Sequence, residues 1–156
     1  ITLASYNILA QKLIKREMFP YSSSIALRKA SRQAILLKEI EHLQADVIAF
    51  QEMDNYADWK ERLEKLGYES VSKTKYSNGD GHGCVVAYKT SKVCGTFVAA
   101  AGLDQDSDEY KELLQGNVGQ IVALRPRGCQ QEGVGVLLGN CHLFWKPKGS
   151  YVRLRQ

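Results

Sequence analysis

The run from Asp46 to Phe50, with Val47-Ile48-Ala49-Phe50 unbroken by a polar residue, constrains this chain more than any other feature. A strand with one solvated face alternates apolar and polar side chains. A short, continuous apolar run bounded by polar residues is what a strand covered on both faces requires. The fold must therefore place a layer on each side of this segment. Its carboxyl end delivers Gln51-Glu52 to the sheet rim, where open α/β sheets place their ligands.

Segments of helical and extended period surround that run. Residues 2–9 alternate apolar with small or polar side chains, as a strand does, and end at Asn7-Ile8-Leu9. Over 22–44, three serines offer N-caps. Leu27, Ala30, Ala34, Leu37 and Ile40 recur there at helical spacing, with Leu36 and Leu43 widening the stripe. Tyr56, Trp59, Leu63 and Leu66 mark a second helix that Gly67 closes. The remainder reads as strands over 68–75, 83–89 and 93–100, expected as hairpins around a turn at 77–81. A short acidic helix over 107–114 precedes strands over 117–125 and 134–143, joined by a polar turn near 126–133. This order predicts a mixed α/β (α+β) domain.

Composition narrows the class. At 156 residues, with 44% hydrophobic and 24% charged side chains, the chain matches a compact domain and excludes a disordered or collagen-like one. No apolar run approaches the roughly 18 residues of a membrane helix, so no membrane partner is expected. Cys84, Cys94, Cys129 and Cys141 form no C-x-x-C pair, so reduced thiols in an intracellular protein are expected rather than a zinc site. Cytoplasm is the favoured setting, ahead of nucleus or mitochondrion. Ile1 opens without a leader, and 151–156 reads as the first turns of an amphipathic helix, so the chain is expected to be cut from something longer.

The net charge of +4 hides an uneven distribution. Residues 11–38 hold seven basic and one acidic side chain, 39–69 hold nine acidic and three basic, and 125–156 hold six basic and one acidic. For 11–38 a solvated helix face explains the pattern equally well. The stretch Trp145-Lys146-Pro147-Lys148 is more pointed, since an aromatic can stack a base and two lysines can attract phosphates.

Three strand-end residues could carry chemistry. Glu52 follows the buried run, and Asn7 would occupy the same position on the first strand. If these strands are neighbours, an amide and a carboxylate converge on one rim and suit a hard, oxygen-seeking cation. His142 ends the last strand. On the same rim it could hydrogen-bond a scissile phosphate, although a strand histidine is also an ordinary structural residue.

Three segments, 5–11 (SYNILAQ), 45–54 (ADVIAFQEMD) and 140–147 (NCHLFWKP), resemble in order the early motifs of the endonuclease/exonuclease/phosphatase superfamily. More narrowly they resemble its carbon-catabolite-repression deadenylase branch, with nocturnin, the 2′,5′-phosphodiesterase and the fungal Ngl-type RNA exonucleases. The segments 81–89 and 116–122 resemble the same branch.

The resemblance implies a DNase I-like four-layer αββα sandwich, of which 1–156 would be the N-terminal part of one domain, roughly the first sheet with its helices. It implies a Mg2+-dependent phosphodiesterase, with Mn2+ the alternative ion, acting as a 3′-to-5′ exonuclease on RNA, including poly(A). Glu52 would be the direct metal ligand, Asn7 would help position metal or phosphate, and His142 would contact the scissile phosphate. Trp145 and Pro147 would line the nucleotide rim beside Lys146 and Lys148. The family continues with an Asp-x-Asn motif and ends with an Asp-His pair. No Gly-Asp-x-Asn and no Asp-His occurs in these 156 residues. Alternatives are a non-catalytic RNA-binding or regulatory fragment, a same-fold enzyme for 2′,5′-oligoadenylate, a dinucleotide, a phosphoinositide or abasic DNA, and an unrelated mixed α/β domain.

Overall fold

The computed structural model describes residues 1–74, 81–103, 116–129, 134–143, 150 and 153. Strand β2 (Val47–Met53) lies at its centre, between β1 (Leu3–Asn7), which runs parallel to it, and β4 (Gly83–Lys89), which runs antiparallel. Strand β3 (Tyr68–Thr74) pairs with β4 as the expected hairpin, giving the order β1-β2-β4-β3.

Both faces of β2 are covered, as its composition demands. On one side Ile48, Phe50 and Met53 pack with Ile40 of α1 (Lys29–Leu43) and with Trp59 and Leu63 of α2 (Tyr56–Lys65). On the other, Val47, Val86 and Tyr88 meet Val93, Val122 and Leu124 of a second sheet. That sheet is antiparallel, in the order β5 (Val93–Gly102), β6 (Val118–Pro126), β7 (Val136–Cys141). Burying side chains such as these contributes on the order of 1.5 to 3 kcal/mol each. No disulfide joins the cysteines. No helix of the described residues is long and apolar enough to cross a membrane.

Two expectations are corrected here. The chain does not stop at the first sheet, because three strands of the facing sheet belong to it. Accordingly, β4 and β5 do not form a hairpin. The chain turns over at Thr90–Lys92, where Lys92 N donates to Lys89 O, and β5 crosses to the other layer. Gly95 makes that close crossing possible, since a Cβ there would overlap the Tyr88 ring.

Helix α1 also starts later and is turned differently from the expected 22–44 helix. The serines cap no helix: Ser23 Oγ accepts from Ala26 N within a local turn, and Arg28 occupies the N-cap position with extended backbone. Ala30 and Ala34 are exposed, while Gln33 and Ile40 are buried. The reason is polar: Gln33 Nε2 donates to Asp58 Oδ2 at 2.7 Å, so α1 turns an amide rather than its alanines toward α2. Gly67 ends α2 as expected, with φ of +83° and its N–H donated to Glu64 O. The expected turn at 77–81 up to residue 80, the acidic helix at 107–114 and the terminal helix at 151–156, apart from Arg153, lie outside the described residues.

Candidate functional site

Parallel pairing of β1 with β2 sets Asn7 opposite Gln51, so the ends of both strands share one rim. Beyond Phe50 the β2–β4 register slips, and Gln51-Glu52 form an irregularity before Met53 pairs with Gly83. Glu52 sits there at φ +58°, a left-handed conformation that costs a non-glycine residue on the order of 1 to 3 kcal/mol and marks sites where the surroundings over-determine the backbone. The irregularity turns the Glu52 carboxylate toward Asn7.

The carboxylate is held from two directions. Asn7 Nδ2 donates to Glu52 Oε1 at 2.9 Å, and Ala10 N donates to Oε2 at 3.2 Å. Asn7 Oδ1 in turn accepts from Leu9 N at 2.9 Å, and Leu9 also has positive φ. The loop after β1 thus folds back over the carboxylate. Two further groups fix it: Asp54 Oδ2 accepts from Lys12 N, and Arg32 Nη2 donates to the carbonyls of Ile8 and Leu9 at 2.6 and 2.9 Å. Arg32 Nη1 reaches Gln11 Oε1 at 3.0 Å, completing the clamp.

The third residue arrives from the other sheet. His142 follows β7, and its Nε2 stands 3.7 Å from Glu52 Oε1. Its backbone is fixed by Asn117, whose Nδ2 donates to His142 O at 2.5 Å, and by its own N–H to Val118 O. Glu52 is 12% exposed and His142 23%, so the pair is open enough to meet a ligand and dry enough for charge to matter.

The donor set fits one divalent ligand contact. Each Glu52 oxygen accepts one hydrogen bond, and an ionised carboxylate has about four acceptor positions, which leaves lone pairs for a hard cation. Among the described residues no group of three His, Cys, Asp or Glu could enclose a metal. Mg2+ is commonly held by one or two carboxylates with waters and phosphate oxygens, so Glu52 suits it as a single ligand.

The structure therefore brings together Asn7, Glu52 and His142, which the sequence singled out. Trp145, Lys146, Pro147 and Lys148 lie outside the described residues. Sequence reasoning missed Arg32, Asn117 and Asn140. Signals for two of them were available: Arg32 shares a helix face with Leu36 and Ile40, and Asn140 shares a strand face with His142.

Residues 4–138 match the sequence model of the Endonuclease/Exonuclease/phosphatase family. The chain is 33% identical to the probable RNA exonuclease NGL3 of Saccharomyces cerevisiae, over 100% of its own length and 32% of the relative's. It is likewise 33% identical to RNA exonuclease NGL2 of the same yeast, over 99% of its length and 32% of that protein's. Among solved structures, ANGEL2, described as a 2′,3′-cyclic phosphatase and bound to adenosine-2′,3′-vanadate, superposes with a TM-score of 0.78. Identity there is 27%, covering 99% of this chain and 44% of that one. The human nocturnin catalytic domain superposes with a TM-score of 0.69 at 22% identity, covering 96% and 52%, which speaks for the fold. The chain spans about a third to a half of the length of these proteins.

Proposed function

The chain belongs to the endonuclease/exonuclease/phosphatase family, and from that premise we propose that it forms part of a metal-assisted phosphodiesterase removing nucleotides from the 3′ end of RNA. The observation that carries the proposal is the meeting of Asn7, Glu52 and His142 at one rim, drawn from three strand ends in two sheets. Its resemblance to two yeast proteins named as RNA exonucleases supports RNA as the substrate class, and poly(A) is the first tail to test.

In this reading Glu52 is one ligand of a divalent cation, Mg2+ or in its place Mn2+. Such an ion, when bound, polarises a phosphoryl oxygen and lowers the pKa of a coordinated water. The chain's own residues do the rest of what this rim can do. Asn7 holds the Glu52 carboxylate in one orientation, and Ala10 N secures its second oxygen. His142 Nε2, beside the same carboxylate, would donate to a non-bridging phosphate oxygen and favour the charge that develops there. Trp145 and Pro147 would line the nucleotide rim, with Lys146 and Lys148 attracting phosphates.

Activation of the attacking water and departure of the leaving oxygen need groups beyond these three. We therefore read 1–156 as the N-terminal part of one such domain, in an intracellular and first of all cytoplasmic protein. A second reading is favoured by the similarity to ANGEL2: removal of a 2′,3′-cyclic phosphate rather than a whole nucleotide.

The test is the full-length protein on two labelled oligoadenylates, one ending in a 3′-hydroxyl and one in a 2′,3′-cyclic phosphate, with Mg2+ or with EDTA. Shortening of the first, abolished by EDTA and by Glu52→Ala, is expected. Loss of the cyclic phosphate without shortening selects the second reading. Cleavage that survives both EDTA and Glu52→Ala overturns both.

A further inference from the structure

We propose that Asn140 is a positioning residue: it locks the rim of the second sheet to the rim of the first, and so sets the imidazole of His142 against the carboxylate of Glu52. The inference rests on the reading of Glu52 and His142 as site residues and adds what holds them at their spacing. The two belong to different sheets, and among the described residues no backbone ladder joins those sheets. Their separation depends on side chains that cross the interlayer.

Among the described residues several side chains cross it, and Asn140 makes the fullest connection. Its Nδ2 donates to Phe50 O at 2.9 Å and to Val85 O at 3.1 Å, and its Oδ1 accepts from Gln51 Nε2 at 2.9 Å. Gln120 to Val71 O, Tyr88 to Gly95 O and Cys84 to Val118 O each cross the interlayer by one described bond. Asn140 is 3% exposed, so both amide hydrogens and the carbonyl are used where water cannot replace them.

Placement gives this connection its consequence. Phe50 and Val85 are register partners across β2 and β4, at the last regular rung before the Gln51-Glu52 irregularity. Asn140 thus grips sheet one two residues before Glu52, and it lies two residues before His142, which follows the end of its strand. The His142 N–H to Val118 O bond extends the β6–β7 ladder by one rung, so residue 142 keeps the alternation and shares the face of residue 140. Relaxing the grip lets β7 slide against β2 and changes the spacing of His142 Nε2 from Glu52 Oε1.

A plainly structural asparagine would cost stability alone, and the experiment separates the two cases in the full-length protein. Asn140→Leu keeps the volume and removes all three bonds. Tyr88→Phe, which loses the Tyr88–Gly95 crossing at the far end of β4, is the control. For Asn140→Leu, kcat is expected to fall on the order of 10²-fold, as small misplacements of reacting groups do. KM should stay within about threefold, since substrate contacts remain. Tyr88→Phe, assayed at an equal distance below its Tm, is expected to keep its kcat.

A second readout needs no activity. The imidazole resonances of His142, assigned with His142→Gln and followed at one neutral pH, should respond to Glu52→Gln in the Asn140 background and lose that response with Asn140→Leu. Should Asn140→Leu not fold, Asn140→Ser, which keeps one donor, is read in the same way. Retained kcat, or an equal kcat loss in Tyr88→Phe, overturns the inference. So does an imidazole response that survives Asn140→Leu, even in a protein that proves not to be a nuclease.

Discussion

Asn7 donates its amide hydrogen to the carboxylate of Glu52 across 2.9 Å, although 45 residues separate them in the chain. The same side chain accepts from Leu9 N, so one amide orients the acid and the loop above it. If Glu52 is the metal ligand proposed above, Asn7→Ala should lower activity about 10- to 100-fold, the usual effect of removing a group that orients such a ligand. Asn7→Asp keeps the acceptor for Leu9 but sets a second negative charge beside Glu52. Its Tm should fall further than that of Asn7→Ala, and added Mg2+ should recover the difference. Equal Tm values with and without Mg2+ would contradict this.

Arg32 ties α1 to the loop through two carbonyls and the Gln11 amide oxygen. Arg32→Met retains most of the stem and leaves those acceptors without the cation. A loss of about 1 to 3 kcal/mol follows from unsatisfied buried polar groups. Amide exchange at Leu9 and Ala10 should accelerate more than exchange in β4. Uniform acceleration across both would show that the clamp is not local.

How much of this was legible follows from the reach of each signal. The run ending at Phe50 announced its two covered faces because burial of both sides is written in consecutive residues. Asn7, Glu52 and His142 were legible because strand ends are local features and their side chains are chemically rare there. Arg32 and Asn140 carried only the weaker signal of their face: their partners lie 24 and 90 residues away, and a polar residue inside an apolar stripe looks like noise until its acceptor is known. That three strands of the second sheet belong to this chain was missed for a related reason. Strands β4 and β5 are separated by a short turn that reads as a hairpin, and the close passage of Gly95 over Tyr88 is a tertiary fact.

That passage is itself testable. Gly95→Ala should destabilise the chain by about 1 to 3 kcal/mol, because overpacking against a buried ring forces shifts on both sides. Combined with Tyr88→Leu, which removes the ring, the alanine should cost much less than it does alone. Strict additivity in denaturant midpoints would place the strain elsewhere.

The outer face of the second sheet is apolar and open in the 156-residue chain, with Ile121 42% and Leu137 70% exposed. Such a face binds hydrophobic dyes and promotes association. Ile121→Lys with Leu137→Lys should reduce dye binding and raise the concentration at which the chain aggregates, with little loss of Tm. Unchanged dye binding would point to another surface.

Asp58 joins the two helices, accepting from Gln33 at 2.7 Å and from Arg62 at 2.9 Å, with Lys29 at 3.6 Å. The Gln33 hydrogen bond, then those from Arg62 and the nearby cations, hold its carboxyl below the ordinary 3.8 against a desolvation cost. Because the folded state favours the ionised form, the unfolded chain takes up the proton first. The stabilisation is therefore present in full above the unfolded pKa of about 4, and is lost as pH falls through the lower folded value. Asp46, lowered chiefly by the backbone N–H of Thr2, acts with the same sign. Asp58→Asn should thus be less stable at pH 7 and lose less further stability on acidification to pH 2. Asp46 should supply the remaining slope. Denaturant midpoints across that range check it, and parallel profiles for the two proteins would show that Asp58 is not the titrating link between the helices.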